Sequence, residues 1–324
     1  MMETFQALFH TQWQTLHDPH VRSLAWILTS PSMLAKESPV WKHQIANLFL
    51  PDYAVLQAWL ADLDQHPTEL HEALALHKHR RLGHYAENLL AFYLKHQGML
   101  YAHGLQVHVD GFATLGEFDF LLRLPEGLLH WEIATKFYLF EEDEDATYQA
   151  DLFDYLGPNL ADTLGAKMDK IFRQQLALSH HAAAQKLLPE KVIAAKALIK
   201  GWLFYRESTI PRTLVEGIAD NHCRGYWWTV DDVSRLAISY FLILERLQWL
   251  APAQTSLSAV MEKAMLHDAL HRHFQRDSAP VMLAIMRKNG DVMQEFCRGM
   301  VVPNDWPIRA QEKRQQRLPR KVGT

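Results

Sequence analysis

Cysteine is nearly missing: Cys223 and Cys297 are the only two in 324 residues, and neither sits in a Cys-x-x-Cys pair. That excludes a disulfide framework and makes a reducing cytoplasm the expected location. Glycine and proline number 14 each, too few for a collagen-like or low-complexity chain. No apolar run approaches the roughly 20 residues that a membrane-spanning helix needs; Tyr240 to Leu244 is typical of the longest. Met1-Met2-Glu3-Thr4-Phe5 has no basic stretch leading into an apolar one, so neither export nor membrane association is expected. An excess of one charge is missing too. The 33 Lys and Arg against 37 Asp and Glu give a net charge of -4, so any nucleic-acid partner has to be held locally rather than by a global basic field. The chain has no Gly-x-Ser-x-Gly elbow, Gly-rich phosphate loop or dinucleotide fingerprint, which removes support for serine-hydrolase, NTPase and Rossmann readings. Among 19 histidines, His77 with His79 and His267 with His271 lack a Cys companion or a His-Glu-x-x-His frame, so zinc is not expected.

What the chain does have is a hydrophobic content of 48% against 22% charged residues, enough to fill the core of one elaborated domain or two small ones. From Phe5 to about Gln97 apolar residues recur at three- and four-residue spacing, broken at Pro31, Pro39, Pro51 and Pro67, which predicts a series of helices. From Met99 the period changes. Leu105 to Asp110 alternates, while Gly116 to Leu122 and Leu128 to Phe140 are apolar around single acids, predicting three strands in succession. Leu160 to Leu188 returns to helical spacing, and Val192 to Tyr205 reads as a strand. The order helix, strand, strand, strand, helix, strand implies an α/β (α+β) class, with a mixed sheet flanked by helices. Further strands are expected at Gly225 to Trp228, Ile238 to Leu244, and on either side of the hairpin signal Asn289-Gly290. The resulting division is an N-terminal helical region packed on the core (1–78), the core (79–206), an α+β extension of the same domain (207–308), and a basic, flexible tail (309–324).

The stretch from Gly116 to Lys136 carries the chemistry. If its turn centres on Pro125-Glu126, antiparallel pairing sets Asp119 directly opposite Glu132, with Cβ atoms about 5 Å apart. Two carboxylates so placed repel unless they share a proton or hold a cation. A hard divalent ion such as Mg²⁺ or Mn²⁺ answers that repulsion and keeps waters for a phosphate substrate. Alternation puts Glu132, Ala134, Lys136 and Tyr138 on one face, so Lys136 joins the acids. Upstream, Arg81-Leu-Gly-His84-Tyr-Ala-Glu87 opens a helix whose Glu87 has apolar neighbours Leu89, Leu90 and Phe92. That is an unusual place for a carboxylate, and Glu87 is expected to point toward the same site.

Over roughly residues 80 to 205 this arrangement resembles the PD-(D/E)XK nuclease superfamily. Its core runs helix, three strands, helix, strand, with Glu on the first helix, Asp on the second strand and Glu-x-Lys on the third. Glu87, Asp119 and Glu132 match those positions, and Gly116-Glu-Phe-Asp119 is similar to the Gly-Glu-Ile-Asp form of Holliday-junction-resolvase-like members. The chain departs at the lysine: Ala134 stands where the motif has Lys, and Lys136 lies two residues on, about 7 Å along the same face. Either Lys136 has taken over the role or catalysis is lost. Across almost the whole chain, Leu156-Gly-Pro-Asn159, Lys200-Gly-Trp202 and Trp249-Leu-Ala-Pro252 resemble a bacterial family of unassigned function, domain of unknown function family 1853.

The resemblance implies a metal-dependent phosphodiesterase acting on DNA or a structured nucleic acid. Asp119 and Glu132 would hold Mg²⁺ or Mn²⁺, with Glu87 and Lys136 completing the catalytic set. Substrate would be bound by Arg81 and His84, and by Lys167, Lys170 and Gln174 on the later helix, where superfamily members place Lys or Gln against phosphate. The alternative is a catalytically silent module that binds nucleic acid or a protein partner. Basic residues also gather at Lys78, Arg80 and Arg81. The acidic run from Glu141 to Asp154 is expected to be a solvated loop, and Trp227 and Trp228 either stack on bases or, as is commoner, pack in the core.

Overall fold

The computed structural model describes residues 4–74, 81–109, 113–141, 149–206 and 215–316. His77, Lys78, His79 and Arg80, the acids from Glu142 to Asp145, and the last eight residues of the basic tail lie outside the described residues.

The N-terminal periodicity produces α1 (Phe5–Trp13), α2 (Pro19–Thr29), α3 (Tyr53–Gln65), α4 (Thr68–Leu74) and α5 (Leu82–His96). Asp18 sets the start of α2: its carboxylate accepts the His20 and Val21 N–H groups, and Pro19 follows at the first helical position. Then come β1 (Leu100–Val109), β2 (Ala113–Leu124) and β3 (Gly127–Phe140), the short β4 (Tyr155–Leu156), α6 (Leu164–Lys170), α7 (Ala182–Leu187) and β5 (Val192–Tyr205). The extension adds β6 (Cys223–Thr229), α8 (Val230–Arg235), β7 (Phe241–Leu244), β8 (Gln254–Thr255), α9 (Lys263–Phe274), β9 (Val281–Asn289), β10 (Val292–Val302) and α10 (Trp306–Gln315).

The strands form one ten-stranded mixed sheet in the order β1-β2-β3-β5-β6-β10-β9-β7, with β4 on β3 and β8 on β10. Core and extension therefore share a continuous sheet. β1, β2 and β3 run antiparallel, whereas β3 pairs β5, β5 pairs β6 and β6 pairs β10 in parallel. β3 is buried on both faces: Trp131, Ile133 and Phe137 meet the N-terminal helices, and Ala134 and Tyr138 meet Leu164 and Met168 of α6. Gly201 in β5 has φ +144°, and a Cβ there would come within 1.8 Å of the Lys136 carbonyl. Only glycine permits this approach of β5 to β3. The expected hairpin at Asn289-Gly290 is present, with Asn289 opposite Val292.

Three expectations differ from the structure. Leu160 to Leu188 is not one helix: α6 passes into a π turn at Ile171–Gln175 and a 3-10 segment at Leu176–His180 before α7. Residues 309–315, expected to begin a flexible tail, belong to α10, because Trp306, Ala310 and Arg314 recur every four residues and form a buried face. The acidic run is not wholly solvated. Glu141 and Asp154 are buried, Asp151 caps the turn Leu152–Asp154, and Asp154 Oδ1 accepts from Arg314 Nε at 2.9 Å. Trp227 and Trp228 are buried as expected. Among the described residues no helix is long and apolar enough to cross a membrane.

Candidate functional site

β2 and β3 pair in the expected register, Leu124 opposite Gly127 through to Phe120 opposite Trp131. One step further the backbone ladder stops. Asp119 replaces it, its Oδ2 accepting the Ile133 N–H at 2.9 Å. Asp119 and Glu132 lie close enough for each to bear on the other's titration.

Glu132 is fully buried. Its Oε1 pairs with His130 Nε2 at 2.8 Å and its Oε2 accepts from the Gln175 amide. Burial raises the Asp119 carboxyl to about 7, reinforced by the charge of Glu132 and, more weakly, by that of Glu87. Burial likewise raises Glu132 to about 7, although the hydrogen bond from Asp119 and the charge of Lys167 oppose the shift. Burial thus favours the protonated form of both acids, and the two titrations are coupled. Burial pushes His130 down to about 4, so it stands as a neutral ring hydrogen-bonded through Nε2 to Glu132. His130 was not singled out in the sequence, though the alternation that groups Glu132 with Lys136 places it on the same face.

Two lysines stand nearby, in different company. Lys136 Nζ lies 3.2 Å from Asp162 Oδ2, where the Tyr138 hydroxyl also donates at 3.1 Å. Lys167 instead answers to the acid pair. Burial and the ammonium of Lys136 lower its pKa, while Asp119 and Glu132 pull it back up. Its Nζ donates to Gln175 Oε1 at 3.3 Å, so Gln175 links Lys167 to Glu132.

The helix position expected at Gln174 is thus filled by Gln175. A π turn has more residues per turn than an α-helix, and the one at Ile171–Gln175 rotates the next inward side chain on by one residue. Gln174 and Lys170 are exposed.

A cleft of about 680 Å³ opens next along β3 from Glu132, lined by Arg81, His84 and Glu87 at the start of α5, Ile133 to Tyr138 of β3, Lys167 from α6 and Arg246 from the extension, with Asp119 and Glu132 themselves outside its lining. Glu87 Oε2 is 3.0 Å from His84 Nδ1. Of the nine site residues expected from the sequence, the structure gathers Glu87, Asp119, Glu132, Lys136, Arg81, His84 and Lys167 in or beside this cleft and leaves out Lys170 and Gln174. Asp162 and Arg246 had no local sequence signal.

Among the described residues, no three His, Cys, Asp or Glu side chains gather closely enough to cage a metal ion. Mg²⁺ needs no such cage, since one or two carboxylates, several waters and a substrate phosphate commonly suffice. Asp119 and Glu132 are hard oxygen donors of that kind, and an ion bound there would have to displace the His130 or Gln175 hydrogen bond of buried Glu132.

The fold and site define an α/β protein whose mixed sheet sets a fully buried Glu132 and a half-buried Asp119 beside a lysine-lined cleft. A family model described as Domain of unknown function (DUF1853) matches residues 22–302, from within α2 to the end of β10, and the chain belongs to that family. Neither a curated protein nor a solved structure matches it.

Proposed function

We propose that the protein is a metal-dependent phosphodiesterase of the PD-(D/E)XK kind, acting on DNA or a structured nucleic acid. The observation that carries this reading is the opposed acid pair Asp119 and Glu132, set on the second and third strands of a helix, strand, strand, strand, helix, strand order, with Lys167 close enough to feel both charges. Mg²⁺ or Mn²⁺ bound by the two acids would neutralise phosphate charge and lower the pKa of a bound water. Lys167 takes the part first expected of Lys136, steadying the negative charge that grows on the phosphate. Lys136 is held by Asp162, while Arg81 and His84 meet neighbouring phosphates.

The test is a cleavage assay on branched, linear and single-stranded DNA and on RNA, with Mg²⁺ or Mn²⁺. Wild type should cut at least one of these, and Asp119→Asn or Glu132→Gln should abolish cutting. If wild type cuts none of them, the reading fails. Ala134 at the motif lysine position and the complete hydrogen bonding of Glu132 favour a second reading, a silent module that binds nucleic acid or a protein partner. An inactive wild type that gains cleavage on Ala134→Lys would identify it.

A further inference from the structure

Resting on that reading, we infer that Arg246 is a phosphate-binding residue contributed by the C-terminal extension, and that the cleft takes a single polynucleotide strand. Arg246 is exposed at the start of the 3-10 turn Arg246–Gln248, and its guanidinium lies 4.8 Å from the centroid of the Trp249 ring. No carboxylate pairs with it among the described residues, whereas Lys136 across the cleft is taken by Asp162. An arginine held over an indole by its cation–π contact keeps N–H donors free for phosphate oxygens.

The platform beneath it is fixed from below. The Trp249 indole N–H donates to the Leu244 carbonyl at 3.0 Å, and its ring meets Phe137 edge-on at 5.6 Å. The Trp249 carbonyl accepts from buried Arg298, which also holds the Ala251 carbonyl at 2.7 Å. Buried Arg22 holds the Pro252 carbonyl at 2.9 Å. So much buried donor capacity spent on one short segment makes Trp249 a rigid support, and with it the position of Arg246.

The cleft's size and walls select the ligand. At about 680 Å³ it falls within the range of small-ligand sites. That is room for about one or two nucleotides, so what enters the cleft is one strand and not a whole duplex. Arg81 on one wall and Arg246 on another would grip successive phosphates, with Lys167 nearest the acids. Trp249 is buried and so supports the arginine instead of stacking on a base.

The experiment titrates fluorescent oligothymidylate and a matched DNA duplex with the full chain in EDTA, so that cleavage plays no part. The single strand should bind more tightly than the duplex. Arg246→Ala should weaken single-strand binding about tenfold and flatten the dependence of log affinity on log salt by about 0.7. Arg246→Lys should fall between. Arg272→Ala, the same loss of charge on exposed α9 away from the cleft, should stay within about twofold of wild type. The inference is overturned if Arg246→Ala binds as wild type does, if Arg272→Ala loses as much, or if the duplex is preferred. Wild-type binding with an unaffected Arg246→Ala removes this assignment alone and leaves the proposed function standing; a wild type that binds neither oligonucleotide removes both.

Discussion

Glu132 on β3 and Glu295 on β10 are both buried acids in the same sheet, yet their surroundings are opposite. Glu295 meets a cation: Arg298 Nε reaches Oε1 at 2.6 Å, another guanidinium nitrogen reaches Oε2 at 2.7 Å, and the Ala253 N–H adds 2.9 Å. The same guanidinium then anchors the carbonyls of Trp249 and Ala251. Glu132 meets another acid, Asp119, and only neutral donors from His130 and Gln175. A compensated charge in the interior organises the chain around it, whereas two acids buried together oppose folding as soon as they ionise. Arrangements of the second kind concentrate where chemistry uses them, and here the pair borders the cleft.

That contrast can be broken most forcefully at Glu295. Glu295→Gln leaves the Arg298 guanidinium buried without its counter-charge and should cost about 3–5 kcal/mol of stability in urea unfolding. The matching change Glu132→Gln should cost far less at about pH 8; equal losses would mean that both acids are structural. Next in size is the division of labour between the lysines. Lys167→Ala should lower single-turnover cleavage about 10²- to 10³-fold, and Lys136→Ala should lower it less than about tenfold. The reverse order would return the catalytic role to Lys136.

Stability against pH sharpens the contrast further. Folding raises the pKa of both Asp119 and Glu132 from ordinary carboxyl values to about 7. Their folded-state protonation therefore supports stability fully below about pH 4, and that support is lost as pH rises through about 7. Asp119→Asn combined with Glu132→Gln should melt close to wild type at about pH 4 and below. At about pH 8.5 it should be more stable than wild type, by on the order of 2 kcal/mol. A difference that does not change with pH would show that the acids are not buried together in solution. Added Mg²⁺ should stabilise wild type at the higher pH and not the double variant. The smallest effect belongs to Lys136→Met, whose partly exposed pairing with Asp162 should be worth less than about 1 kcal/mol in the same melts.

Much of the site was legible because it is local. The Pro125-Glu126 turn sets the hairpin register, so the opposition of Asp119 and Glu132 follows from counting residues. Period-two alternation places Lys136 on the face of Glu132, and it would have placed His130 there as well. The helix carrying Arg81, His84 and Glu87 follows from apolar spacing in α5. The π turn was not legible, since five residues of helical composition do not announce an extra residue per turn, and regular helical spacing points to Gln174 in place of Gln175.

Sequence by itself thus determined the element order, the register of the central hairpin and the face on which each β3 residue lies, because backbone period and turn chemistry act between near neighbours. Tertiary structure alone decided the partners. Asp162 reaches Lys136 across 26 residues, Gln175 reaches Glu132 across 43 and Arg314 reaches Asp154 across 160. It also decided that Arg246 faces a cleft formed largely by the core. A side chain's period says which way it points, but its charge is answered by whatever the packed chain brings within a few ångströms, and that depends on how every element buries its apolar face at once.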